Sequence, residues 1–404
     1  MRHNAHKLFY QPGDRPCFKA KLVITEPERQ KLLECRRKIR AALRAGLKIA
    51  GAQLSRQEYY GDQFLAKASI YDARDRELHP RFRTQGSWAY DTLNRPCFPE
   101  QQIDLDEGMY LPMSIVEGAP SVASRAIYQI VERILGALCK AEGWTLDTSK
   151  SICVRLIVDA ETHVDVNIYA VPDTKLMLVE KRAEEALNKS LHMAAMDSAT
   201  VRLIRLNPQD IYVAHRNKGW ERSDPLELED WFVDACDRHA PWTDLRRIVR
   251  YLKAWRDHKL NDCCLSSLTL MVCAVEALDE ANSPPVKGRD DDGLLVVARA
   301  LAAKLASIVY NPVLKHLPLN DNWSTTEKGS FELAARALRD EMIAALEEEE
   351  TCGGVVKRIR RALGSRVPDE PTLVIPLGVM DQIRATPARQ VASPKVGSST
   401  SGHG

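Results

Sequence analysis

A chain of 404 residues, 45% hydrophobic and 28% charged, holds enough apolar material for two ordinary globular domains or one domain with a large helical addition. Its formal net charge of +2 gives no general attraction to nucleic acid or to anionic membranes, and no apolar run approaches bilayer length, so neither is expected as an obligatory partner. The polar N-terminus lacks the apolar stretch of a secretory signal, and ten scattered cysteines without a CxxC pair point to free thiols in a reducing cytoplasm.

Thr25-Glu26-Pro27-Glu28 predicts a helix start, with Thr25 as N-cap, Pro27 in the first turn and Glu28 closing a capping box. Leu32, Leu33, Ile39, Leu43 and Leu47 carry that helix on at helical spacing, and a second helix is expected around Glu58 to Tyr71. Gln85-Gly86-Ser87 opens a turn. Alternating apolar residues then predict strands over Gln102–Tyr110, Ser151–Val158 and Thr162–Tyr169, with a helix over Val122–Ala141 between the first two. Strands divided by helices imply a mixed sheet with helical cover.

From Leu226 onward the pattern is helical, over Glu227–Arg238, Trp242–His258, Ser266–Glu280, Gly293–Tyr310, Ser330–Glu350 and Val355–Leu363. Pro284-Pro285 and Gly288–Asp292 read as a loop between two of these helices. Past Asp381 the composition shifts to Ser, Gly, Thr, Pro and Lys, which cannot repay ordering entropy and is expected to be mobile. The expected division is residues 1–225, 226–380 and a tail over 381–404.

Chemistry concentrates in Ile103-Asp104-Leu105-Asp106. Side chains alternate along a strand, so Asp104 and Asp106 share one face while Ile103 and Leu105 enter the core. His163-Val164-Asp165-Val166-Asn167-Ile168 repeats the pattern, with His163, Asp165 and Asn167 on the polar face. If the two strands are neighbours, three carboxylates converge, and such a cluster calls for cations that take hard oxygen ligands, Mg²⁺ or Mn²⁺. Upstream, the Gly86-Ser87 turn offers backbone N–H groups and a hydroxyl to phosphate oxygens. An Asp-x-Asp alone is weak evidence; the order Gly-Ser, Asp-x-Asp and a later strand Asp is far more specific, and it is the pattern of polymerase-β-like nucleotidyltransferases.

The stretch Thr84-Gln85-Gly86-Ser87-Trp88-Ala89-Tyr90-Asp91-Thr92-Leu93-Asn94-Arg95-Pro96, continued by Ile103-Asp104-Leu105-Asp106-Glu107-Gly108-Met109-Tyr110, resembles the bacterial cGAS/DncV-like nucleotidyltransferases, best of all the DncV-type cyclic GMP-AMP synthases. The resemblance continues at Thr162 to Val166, Tyr169 to Pro172, Trp220, Ser223 to Pro225, Glu229 to Phe232, Lys253 to Asp257 and Ser266-Ser267, and spans roughly Lys21 to Val367. It implies an α+β fold, with a polymerase-β-like core around a central mixed sheet and a C-terminal helical lobe. The implied activity joins ATP and GTP into a cyclic dinucleotide, 3′,3′-cyclic GMP-AMP, with Mg²⁺ or Mn²⁺, for a downstream effector in phage defence.

Residue by residue, the resemblance implies that Asp104, Asp106 and Asp165 are the metal-binding catalytic triad and that Asp165 helps activate the attacking hydroxyl. Gln85, Gly86 and Ser87 would hold donor phosphates, Lys253 and Ser267 would contact the triphosphate, Tyr90 would stack on a base, and Arg155 would serve the acceptor. Without the resemblance, Lys253 reads as a solvated helix residue, Ser267 as an N-cap and Tyr90 as packing. Arg36, Arg40 and Arg44 line one helix face, ordinarily a solvated one. With Arg81 and Tyr110 they match a folate-like regulatory pocket of the DncV group, but Arg83 replaces an aromatic there and removes a stacking surface for a pterin.

His258, Cys263, Cys264 and Cys273 lack the spacing and position of the animal cGAS zinc thumb, and the cysteines read as buried free thiols of a helical lobe. Some relatives are conjugated through the C-terminus by an E1/E2-like enzyme, and terminal Gly404 fits that expectation. Two other function classes compete: a template-independent enzyme making linear products, and a non-catalytic scaffold. The intact costly carboxylate cluster argues against the second.

Overall fold

The computed structural model describes residues 2–54, 80–112, 120–171, 211–260 and 263–378. The helix expected over Glu58–Tyr71 and the tail over 381–404, with Gly404, lie outside the described residues.

A short strand β1 (His3–Asn4) and two short helices, α1 (His6–Phe9) and α2 (Phe18–Leu22), lead into the long α3 (Glu26–Leu54). The expected capping box is formed: Thr25 N donates to Glu28 Oε2 at 2.6 Å, and Glu28 N donates to Thr25 Oγ1 at 3.4 Å. There follow β2 (Arg81–Thr84), α4 (Gly86–Ala89), β3 (Ile103–Pro112), α5 (Pro120–Glu142), β4 (Thr145–Asp147), β5 (Cys153–Asp159), β6 (Thr162–Val171), β7 (Tyr212–His215) and β8 (Gly219–Arg222).

These strands make one seven-stranded sheet of order β2-β3-β6-β5-β4, with β7 joining β6 and β8 joining β7. Only β3 and β6 run parallel; every other pair is antiparallel, so the sheet is mixed as expected. Leu105, Val164, Val166 and Ile168 point to one face, where Leu32, Ile39, Leu43 and Leu47 of α3 and Ile127, Val131 and Leu135 of α5 cover them. Each such side chain, fully buried, contributes about 1.5–3 kcal/mol. The opposite, polar face is left for chemistry.

Helices α6 (Pro225–His239), α7 (Leu245–Lys259), α8 (Ser267–Asp279), α9 (Asp290–Ala306), α10 (Thr325–Ile343) and α11 (Cys352–Leu363) build a second core around Trp255, Tyr251 and Phe232. A π turn over Ala344–Glu348 extends α10, and β9 (Ile375–Pro376) pairs with β1.

Two expectations need correction. Ala5, Leu8, Phe9, Phe18 and Leu22 belong to this second core, with the Phe18 ring stacked on Tyr251 at 5.5 Å, so the first 22 residues do not pack with the sheet as the division at residue 225 implied. Second, Asp290-Asp291-Asp292, read as loop, forms the buried first turn of α9. Arg247 grips Asp290 at 2.7 and 2.8 Å, Arg289 pairs with Asp291, and Val286 N donates to Asp292 at 2.6 Å. Carboxylates at a helix N-terminus also meet its positive dipole end.

Candidate active site

The parallel register of β3 and β6 sets Asp104 opposite His163 and Asp106 opposite Asp165, so the three carboxylates do share the sheet face left open by the core. Asp104 Oδ1 lies 3.0 Å from His163 Nε2. On β5, Arg155 stands opposite Asp165 and holds both its oxygens at 2.7 Å. Arg155 thus sits at the triad itself, neutralising its third member.

The carboxylates titrate differently for physical reasons. Asp106 is pushed well above the usual carboxylate range by burial first, then by the charges of Asp104 and Asp165. For Asp104 burial also pushes upward, but the His163 contact and the charges of Arg155 and Lys253 outweigh it, and the net shift is downward. Among the described residues, the one group of three or more His, Cys, Asp or Glu side chains with ligand atoms all within 4.8 Å of one another is Asp104, His163 and Asp165. Hard oxygens, a like-charge cluster and a carboxyl too costly to ionise unaided form a donor set that fits a divalent cation. No comparable group gathers at His258, Cys263, Cys264 and Cys273, and the cysteines are unpaired.

The turn at Gly86 is built against this cluster. Gly86 has φ +57°, and a Cβ there would lie 1.9 Å from Asp106 Oδ2, so both backbone and space require glycine. Ser87, partly exposed, follows it in the first turn of α4, and its carbonyl accepts from Thr92 N at 2.8 Å. Gln85, expected among the phosphate contacts, is used differently: its backbone N donates to Asp106 O at 2.9 Å. Its side-chain amide donates to Tyr110 Oη and accepts from Tyr169 Oη at 3.1 Å. Gln85 therefore anchors the turn from behind.

Helix α7 closes the other side. Lys253 is buried, donates to Thr92 O at 2.8 Å, and is lowered to about 8 by burial and by neighbouring Arg256. One turn earlier, buried Arg250 donates to Leu93 O and to Asp91 Oδ1 at 2.7 Å; Asn94 Nδ2 returns a bond to Arg250 O at 2.9 Å. Asp91 is left-handed, at φ +52°. Sequence reasoning gave no role to Arg250 or Asp91; the unusual backbone at Asp91 has no signature in the sequence. Ser267 starts α8 and accepts from Arg256 at 3.0 Å, while the N-cap is Ser266. Tyr90 packs edge-on against Phe232 at 5.6 Å and stays partly exposed.

The residues assigned to a regulatory pocket make internal contacts. Arg40 donates to Glu107 Oε1 at 2.7 Å, and Arg36 to Thr84 Oγ1 at 3.1 Å. The Arg44 guanidinium lies over Phe82 at 5.1 Å, and Arg81 faces Tyr110 across the β2–β3 pair. Tyr110 itself is wholly buried and stacked on Tyr169 at 5.0 Å, behind Gln85, so it belongs to the interior and not to a pocket surface. Arg83 is buried and ion-paired with Glu229 of α6 at 2.6 Å, bridging the two lobes.

Comparison with known proteins places this geometry in context. Residues 80–169 match the family model described as cyclic GMP-AMP synthase DncV-like, nucleotidyltransferase domain, and residues 243–376 match that of the cyclic GMP-AMP synthase C-terminal domain. A cyclic GMP-AMP synthase of Escherichia coli is 31% identical over 316 residues, covering 73% of this chain and 70% of the relative. One from Vibrio cholerae is 29% identical over 428 residues, covering 93% of each chain. The V. cholerae DncV crystal structure with the linear intermediate 5′ pppA(3′,5′)pG superposes with a TM-score of 0.73 at 27% identity, covering 94% of this chain and 100% of that one. The same enzyme with GTP and 5MTHFGLU2 gives a TM-score of 0.74 at 26% identity over the same shares. The sheet and helical lobe are thus those of a nucleotidyltransferase fold.

Proposed function

This chain belongs to the family of DncV-like cyclic GMP-AMP synthases, and on that premise we propose that it joins ATP and GTP into a cyclic dinucleotide, 3′,3′-cyclic GMP-AMP, with release of pyrophosphate. The observation that carries the reading is the register of β3 and β6, which gathers Asp104, Asp106 and Asp165 on one open face beside the Gly86 turn. A divalent cation, Mg²⁺ or Mn²⁺, held by Asp104, Asp106 and Asp165 would supply Lewis-acid stabilisation of the charge developing on the transferred phosphate. Backbone amides of the Gly86-Ser87 turn and the Ser87 hydroxyl orient the donor phosphates, and Lys253 and Ser267 contact them from the helical lobe. Because Lys253 is lowered to about 8, an arriving triphosphate draws it fully into the charged form.

Asp165 positions the acceptor hydroxyl and takes up its proton, for which Arg155 must turn from the carboxylate toward the acceptor nucleotide. Tyr90 supplies a partly exposed ring for base stacking. A linear intermediate then rebinds in reverse, and the same groups close the ring. Most of the acceleration comes from positioning and electrostatics.

In the cell the product would activate an effector in anti-phage signalling. The unpaired cysteines, and the lack among the described residues of any helix long and apolar enough to cross a membrane, are compatible with a cytoplasmic setting. Arg36, Arg40, Arg44 and Arg81 would line a regulatory pocket, with the Arg83–Glu229 pair in the place of the pterin platform, so folate inhibition is not expected.

The test is incubation of the purified chain with all four NTPs and Mg²⁺ or Mn²⁺, with mass spectrometry of phosphatase-resistant products. A cyclic AMP-GMP dinucleotide, absent with Asp104→Ala/Asp106→Ala, supports the reading; a different ring overturns the base assignment, and linear products alone overturn the cyclase reading.

A further inference from the structure

His163 is buried, at 7% exposure, in the middle of the carboxylate face. Its Nδ1 lies 3.0 Å from Gln102 Oε1. The Gln102 amide is oriented by its own Nε2, which donates to Asp159 O at 3.0 Å and Ala160 O at 3.3 Å, so Oε1 is the atom facing the ring. An amide oxygen only accepts, so Nδ1 carries a hydrogen and Nε2 is the ring atom turned toward Asp104.

Nε2 lies 3.0 Å from Asp104 Oδ1 without the alignment of a hydrogen bond; both atoms are shut off from solvent and have no other hydrogen-bond partner. A contact this short between a buried ring nitrogen and a carboxylate calls for positive charge between them, a proton on Nε2 or a bound cation. Two neighbouring ligands of an octahedral ion with bonds of about 2.1 Å stand roughly 3.0 Å apart, which is the separation found. A ring nitrogen whose other N–H is held by a carbonyl is also the usual arrangement of a metal-binding histidine.

Given the nucleotidyltransferase reading of the centre, we infer that His163 Nε2 is a direct ligand of a divalent cation shared with Asp104 and Asp165, making the donor set one nitrogen and carboxylate oxygens instead of oxygens alone. An imidazole ligand favours later, softer first-row ions over Mg²⁺, so this chain prefers Mn²⁺ to Mg²⁺ more strongly than a three-carboxylate site would. Alternation along β6 already put His163 on the face of Asp165; the register with β3 puts it against Asp104.

The experiment uses the nucleotide-free, full-length protein loaded with Mn²⁺, and reads electron-spin-echo modulation from nitrogen nuclei coupled to the bound ion. Nitrogen coupling that changes when the histidines are ¹⁵N-labelled is the expected result in wild type, and its loss in a folded His163→Gln protein assigns the residue. Mn²⁺ titration should show affinity falling at least about tenfold in His163→Gln, with Mg²⁺ affinity much less affected. If bound Mn²⁺ shows no histidine nitrogen, or the protein binds no Mn²⁺ without nucleotide, His163 is not a ligand. Should His163→Gln fail to fold, the isotope experiment on wild type decides alone. Cyclic product lost on Asp104→Ala/Asp106→Ala would still stand if this failed, so the two readings fail separately.

Discussion

Lys253 offers a test in which stability and function pull in opposite directions. Burial lowers its ammonium from the ordinary 10.5 to about 8, so the folded chain holds that proton less tightly than the unfolded one. At about 1.36 kcal/mol per pH unit, the difference of roughly 2.5 units makes the charged, buried Lys253 cost about 3 kcal/mol at neutral pH. Between about pH 8 and 10.5 the unfolded state binds more protons, so unfolding free energy rises with pH across that window and the penalty fades. The bond from Nζ to Thr92 O at 2.8 Å offsets about 1 kcal/mol. Lys253→Met, similar in volume and uncharged, should therefore be more stable than wild type by about 2 kcal/mol at pH 7, with the advantage gone by about pH 9.5.

Urea unfolding of both proteins at the two pH values measures this directly, and nucleotide turnover should fall in the same variant. A Lys253→Met protein that is less stable than wild type at pH 7, with a difference independent of pH, would refute the reasoning.

Gly86→Ala should abolish turnover, since its Cβ would displace the Asp106 carboxylate, and the left-handed φ adds about 1–2 kcal/mol of destabilisation, visible as a lower thermal midpoint. Arg83→Ala leaves Glu229 unpaired at the lobe junction and should lose about 3 kcal/mol in urea unfolding, whereas Arg83→Met/Glu229→Leu should recover most of it. Asp91→Gly keeps the left-handed backbone but breaks the Arg250 pair, so kcat/KM should fall on the order of tenfold, and Asp91→Ala, which also strains the backbone, should fall further.

The sequence made the catalytic face legible because strand alternation is strict: Asp104-x-Asp106 and His163-x-Asp165 leave one way to bury Leu105, Val164 and Val166. The start of α3 was equally plain, since Thr25 and Glu28 satisfy backbone groups locally. What stayed hidden depends on partners distant in the chain. Residues 2–22 form pieces too short for a period to show, and Phe9 and Phe18 take their place from Tyr251, more than two hundred residues away. Asp290-Asp291-Asp292 looks like solvated loop until Arg247 and Arg289 are beside it. Arg155 was placed on the acceptor side, but only the pairing of β5 with β6 reveals that it holds Asp165. Gln85 was assigned to phosphate because its neighbours are; Tyr110 and Tyr169 take its amide instead.

The central claim is that Asp104, Asp106 and Asp165 together transfer a nucleotidyl group, and pyrophosphate release from ATP plus GTP measures it without regard to which product forms. Asp104→Asn, Asp106→Asn and Asp165→Asn, each shown folded by circular dichroism, should each lower the release rate by at least about 10²–10³-fold. Undiminished release in any folded one of the three would contradict the account.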